Sequence, residues 1–168
     1  AAVNPLRRRG SIVEMGATDE PQKDDLELLR TARAGDAEAM CRVAILRARA
    51  GDVDEAEAWA RRAVGLGHAP AFVLLGRLLR DRGDRAGAIL VFEQGAEAGS
   101  AESASNVGYL LASAGDDAGA RRWYRRAAES GHVWAMNALG RTLEWADEDD
   151  EALVWFERSA AMGDAEGA

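Results

Sequence analysis

Cys41, His68 and His132 are the side chains best able to attack a substrate or hold a metal. Their settings argue for quieter roles. Both histidines fall where a helix begins, and the residues at the matching places elsewhere in the chain are Asp and Ser, which cap helices. Zinc needs three or four convergent ligands, and none gather around either histidine in the sequence. Cys41 lies in an apolar helical stretch, where a free cysteine packs as a small hydrophobe. The acidic run Asp147-Glu148-Asp149-Asp150 lacks the alternating ligands and central glycine of a calcium loop, and reads as a solvated turn entering a helix. No cluster of the G-x-G-x-x-G kind offers a phosphate cradle. No catalytic residue, metal or cofactor is therefore expected.

Binding chemistry is better represented. Trp134, Asn137, Arg141 and Trp145 are spaced 3, 4 and 4 apart, which puts them on one stripe of a helix. Tryptophan and arginine are the side chains that most often anchor protein interfaces.

These residues stand out because they break a strong internal repeat. Gly35, Gly67, Gly99, Gly131 and Gly163 recur every 32 residues. Gly76, Gly108 and Gly140 form a second column, and Gly51, Gly83 and Gly115 a third. A fixed period of this length marks stacked units, each burying its apolar face only against a neighbour. Between Gly67 and Gly99 the apolar residues Ala71, Phe72, Leu75, Leu78 and Leu79 follow a helical period. Gly83-Asp84 then breaks the chain, and Ala88, Val91, Phe92 and Ala96 set a second helix. No stretch alternates with period two, so the chain reads as all-α.

The columns define four units, 35–66, 67–98, 99–130 and 131–162. Residues 21–34 form an N-terminal capping helix and 1–20 a flexible arm without periodicity. Residues 163–168 begin a further, truncated unit, because Gly163-Asp164-Ala165-Glu166 repeats Gly35-Asp36-Ala37-Glu38. Gly76, Gly108 and Gly140 are expected where paired helices approach closely. Trp59, Trp123 and Trp155 share a bulky column and need no functional explanation. Trp134, by contrast, matches Glu38, Pro70 and Glu102, and Trp145 matches Arg49, Asp81 and Ser113.

The chain of 168 residues carries a net charge of −8, which disfavours general nucleic-acid binding. Its single cysteine excludes an internal disulfide framework. No apolar run approaches a membrane span, and a cytoplasmic setting without membrane contact is expected.

Leu75-Gly76, Leu139-Gly140, Trp123-Tyr124-x-x-Ala127-Ala128 and Gly131-x-x-x-Ala135-x-x-x-Leu139-Gly140 resemble the tetratricopeptide and Sel1-like repeat families. The 32-residue unit is shorter than the 34 of tetratricopeptide repeats. The resemblance implies a right-handed α-solenoid whose first helices line a concave groove. Carried over by position, it puts Glu38, Cys41, Ile45, Arg49, Val73, Arg77, Asp81, Glu102, Ser105, Tyr109 and Ser113 in that groove, with the Trp134 stripe. One row runs Ile45, Arg77, Tyr109, Arg141. The implied function is non-catalytic binding of a protein or peptide with acidic or apolar side chains, through Arg77, Tyr109, Trp134, Asn137, Arg141 and Trp145. The carboxylate clamp of chaperone-binding relatives is not expected, since the repeats contain no lysine. The alternative is a regulatory or oligomerisation segment of a larger signalling protein, self-associating through its open C-terminal end.

Overall fold

A computed structural model describes residues 23–166, with side chains from 24 to 163. The described residues form nine α-helices: α1 (Lys23–Arg33), α2 (Ala37–Arg49), α3 (Val53–Gly65), α4 (Ala69–Asp81), α5 (Arg85–Glu97), α6 (Ala101–Ala112), α7 (Asp117–Glu129), α8 (Val133–Glu144) and α9 (Asp149–Glu166). Each helix packs on its neighbours in sequence, and α4 also touches α2 and α6. The architecture is a helical-repeat solenoid with α2, α4, α6 and α8 as first helices and α3, α5, α7 and α9 as second. The flexible arm assigned to 1–20 lies outside the described residues.

Glycine sets the turns. Gly67 has φ +73°, and His68 N–H returns to Ala63 C=O at 3.2 Å, closing the end of α3. Seven column glycines adopt positive φ, and Asp147 takes the eighth such place with φ +58°. Side chains then restart helices: Asp36, Asp84, Ser100 and Asp116 accept from backbone N–H groups three residues on. His132 does the same through Nδ1, at 3.2 Å from Ala135 N. His68 and Asp52 hold the cap position without a side-chain cap bond.

Close approach of paired helices follows the second column. A Cβ on Gly76 would lie 2.4 Å from Phe92 Cε1, and one on Gly140 2.6 Å from Phe156 Cε1. In the first unit the same two places hold Ala44 and Ala60, both fully buried. A small residue facing an aromatic ring and two alanines facing each other are alternative fillings of one space. Trp59 and Trp155 are buried, and an arginine three residues on, Arg62 and Arg158, lies over each ring. The ring of Trp123 is covered in the same way by Arg126.

Arginines also strap units together. Arg82 reaches back to Asp54 and Glu57, Arg126 donates to Ala96 C=O at 2.6 Å, and Arg125 pairs forward with Glu151. At the N-terminal end, α1 buries Ala32 completely and rests Leu28 and Leu29 on the core, while Leu26 stays exposed.

One boundary departs from the repeat. Gly163 was expected to end a helix, with Asp164 capping the next, yet α9 runs through both to Glu166. The column turn is elsewhere stabilised by a following helix that packs on the preceding pair.

Candidate functional site

Arg77, Tyr109 and Arg141 hold equivalent places on α4, α6 and α8, so the unit stacking alone lines them up across one face. All three are exposed, Tyr109 at 45%. Trp134, in the first turn of α8, is 46% exposed and lies edge-on to Tyr109, with ring centroids 6.5 Å apart. Its other edge-to-face contact, at 5.7 Å, is with buried Tyr124 of α7. Tyr124 can lie there because the space above it, at Gly108, holds no side chain.

The outcome is an open concavity of about 360 Å³ lined by Arg77, Arg80, Glu102, Ser105, Asn106, Tyr109, His132 and Trp134. A depression of similar size, about 350 Å³, lies between α1 and α2; its Arg47 replaces the column leucines Leu79, Leu111 and Leu143, but it is held by Asp52 at 3.4 Å and Glu55 at 3.3 Å.

The structure therefore brings Arg77, Tyr109 and Trp134 together. Arg141 stands close by, near enough for its charge to act on the Tyr124 hydroxyl. Asn137 is exposed on the same helix face but lines none of this concavity. Trp145 caps the far end of α8 at 79% exposure. Eleven residues of helix separate it from Trp134, about 16 Å at the usual helical rise. Its place is thus a separate surface at the other end of the helix. Cys41, Val73 and Ser105, assigned to the groove by position, are buried. The Cys41 column faces inward until Asn137, so those residues form the wall of the groove rather than its surface.

Charge in the site is unevenly committed. Arg80 is held by Asp81 at 2.8 Å. Among the described residues Arg77 and Arg141 enter no ion pair, while six other arginines do. Burial pushes the Tyr124 hydroxyl up to about 12, with the Arg141 charge opposing and Tyr109 reinforcing that shift. Burial lowers His132, and the Glu102 carboxylate works against it. The equivalent pair two units earlier, Glu38 and His68, sits at 3.2 Å without hydrogen-bond alignment. Glu102, which lines the concavity, repels further negative charge there. The part His132 plays at its rim was hidden in the sequence by its capping role, which accounts for the residue without reference to the groove.

Catalytic arrangements are a poor fit to these groups. The Cys41 thiol is pushed up to about 11, first by burial and then by Glu38, so it is held as the unreactive thiol. Among the described residues no three His, Cys, Asp or Glu side chains gather as a metal site would require.

Residues 100–131 and 133–163 match the family described as tetratricopeptide repeat. None of the curated proteins compared matches the sequence. Among solved structures, a Sel1 repeat protein from Oxalobacter formigenes is similar at 24% identity and TM-score 0.66, covering 79% of this chain and 59% of that one. The crystal structure of MamA is similar at 17% identity and TM-score 0.64, covering 86% of this chain and 88% of that one. BtubC from P. vanneervenii gives 16% identity and TM-score 0.61, over 79% of this chain and 65% of that one. At these identities the likeness is one of fold.

Proposed function

We propose that this tetratricopeptide-like and Sel1-like helical repeat is a protein-interaction scaffold that binds a protein or peptide in its concave groove. Repeats of this kind are typically non-enzymatic scaffolds. The observation that carries the reading is the meeting of Trp134, Tyr109 and Arg77 around one open concavity. Large aromatic groups contribute apolar contact area, and arginine contributes donors in a fixed fork. Packing of Trp134 against Tyr109 and Tyr124 holds the ring before a partner arrives, which lowers the entropy lost on binding. Arg77 and Arg141 pair with carboxylates or backbone carbonyls, while Tyr109 and Trp134 cover apolar side chains. Asn137 extends the surface along α8, and Trp145 offers a separate apolar contact at the far end of that helix.

The proposed setting is the cytoplasm, where the lone Cys41 stays reduced. No described helix is long and apolar enough to cross a membrane. The test is a pull-down with the full chain and with Trp134→Ala/Arg141→Ala. Loss of the captured partner by the double variant, with helicity retained, supports the groove. Equal capture by both refutes it.

A second reading rests on an exposed face of α9, at Leu153 in its second turn. Leu153 is 58% exposed, whereas Glu57 at its column position is buried and Ile89 and Arg121 are half-buried. A surface covered in other units is open here. It suits self-association or docking within a larger signalling protein, and sedimentation at rising concentration distinguishes it from groove binding.

A further inference from the structure

We infer that the groove selects an extended acidic segment carrying two carboxylates about six residues apart, with an apolar side chain midway. This inference rests on the groove reading above and adds the spacing of the ligand's charges. Two observations carry it.

The first is charge. The groove-lining helices α2, α4, α6 and α8 hold six arginines against four acids, a net +2 in a chain of net −8. The second helices hold eight arginines against thirteen acids. At the groove positions themselves the charges balance, Arg49, Arg77 and Arg141 against Glu38, Asp81 and Glu102, so the preference for an acidic partner rests on which cations are uncommitted. Arg77 and Arg141 are also the row's two cations without an ion-pair partner among the described residues, so a carboxylate need not displace one.

The second observation is placement. The two arginines stand on α4 and α8 with Tyr109 on α6 between them. Packed helices lie about 8–10 Å apart, and α4 only touches α6, so the two steps from α4 to α8 make at least about 16–20 Å. An extended chain advances about 3.3 Å per residue, so that distance takes about five or six residues. A third carboxylate is disfavoured on the Trp134 side of the row, since Glu102 lines the same concavity as Tyr109 and Trp134. An apolar or aromatic side chain suits that place, resting on the two rings.

Two fluorescein-labelled peptides of identical composition test the spacing. Each has two aspartates and one phenylalanine in a glycine–serine chain. In one the aspartates are about six positions apart with the phenylalanine midway; in the other all three are adjacent. Fluorescence polarisation with the full chain should show about tenfold tighter binding of the spaced peptide. Arg77→Ser and Arg141→Ser should each remove most of that advantage. Arg77→Asp should recover binding when a lysine replaces one aspartate of the spaced peptide. Equal affinities, no measurable binding of either, or indifference to both arginines would overturn the inference. If spacing is irrelevant but Trp134→Ala still weakens both peptides, the groove remains and only the spacing rule is lost. If both bind and neither responds to Trp134→Ala or Tyr109→Ala, the groove reading fails as well.

Discussion

Gly108 and Tyr124 share one space: a Cβ on the glycine would stand 2.6 Å from Cδ1 of the ring. That contact joins α6 to α7, and the same ring supports Trp134 from beneath. Fold and candidate site therefore depend on one missing side chain. Gly108→Leu is expected to destabilise the protein by about 1–3 kcal/mol through overpacking. Arg141→Ala, on the exposed face, should stay within about 0.5 kcal/mol. Chemical denaturation of both variants checks this, and equal losses would contradict the assignment of faces.

The pair can be tested as a pair. In the first unit Ala44 and Ala60 fill the corresponding places. Gly108→Ala should be costly beside Tyr124 but nearly free, or favourable, in a Tyr124→Ala background. A double-mutant cycle should then give a coupling of about 1 kcal/mol or more. Simple additivity would mean that the ring accommodates the methyl group elsewhere.

Asp147 occupies a turn where the other units use glycine, with φ +58°. A left-handed conformation costs a non-glycine residue roughly 1–2 kcal/mol, somewhat less for aspartate. Asp147→Gly should therefore raise stability by about 1 kcal/mol. A lower melting temperature would show that the carboxylate performs a compensating role.

His132 should make stability fall in mild acid. Its Nδ1 accepts the Ala135 N–H, which requires the unprotonated ring, and burial lowers its folded pKa below the usual 6.5. The unfolded chain then binds more protons, so stability is complete above about pH 6.5 and declines as pH falls through that value towards the folded pKa. His132→Asn retains a capping side chain without the titration. Denaturation midpoints at about pH 7.5 and 5.5 should differ less in the variant than in the parent. An unchanged difference would assign the effect to other groups.

Cys41 should resist alkylation in the native state. Its thiol is buried and its pKa is pushed to about 11. Iodoacetamide at pH 8 should modify it only as fast as the protein opens, and rapidly in denaturant. Fast native labelling would place the residue at the surface.

Much of the fold was legible because one period governs it. The columns mark every glycine turn from Gly35 to Gly131, and the turns at Gly67 and Gly83 bracket α4, Ala69–Asp81. The period fails at Gly163, where the same Gly-Asp-Ala-Glu sequence is helical rather than a turn. The identical four residues at Gly35 form a turn, so local sequence alone does not decide the outcome. The site was less legible. Spacing along α8 groups Trp134 with Trp145, but the concavity runs across helices and joins Trp134 to Tyr109 and Arg77 instead. The burial of Val73 and Ser105 likewise depends on neighbouring helices that helical spacing does not register.

The most direct measurement starts from peptides selected against the full chain from a random displayed library. The dissociation constant of the best ligand is then measured for the parent, Trp134→Ala, Tyr109→Ala and Leu153→Ala. The groove account predicts that each aromatic variant loses about 2 kcal/mol, roughly 30-fold in affinity, with helical circular dichroism unchanged and Leu153→Ala neutral. A ligand that binds both aromatic variants as tightly as the parent, and loses affinity with Leu153→Ala, would contradict it and move the interaction to the Leu153 face of α9.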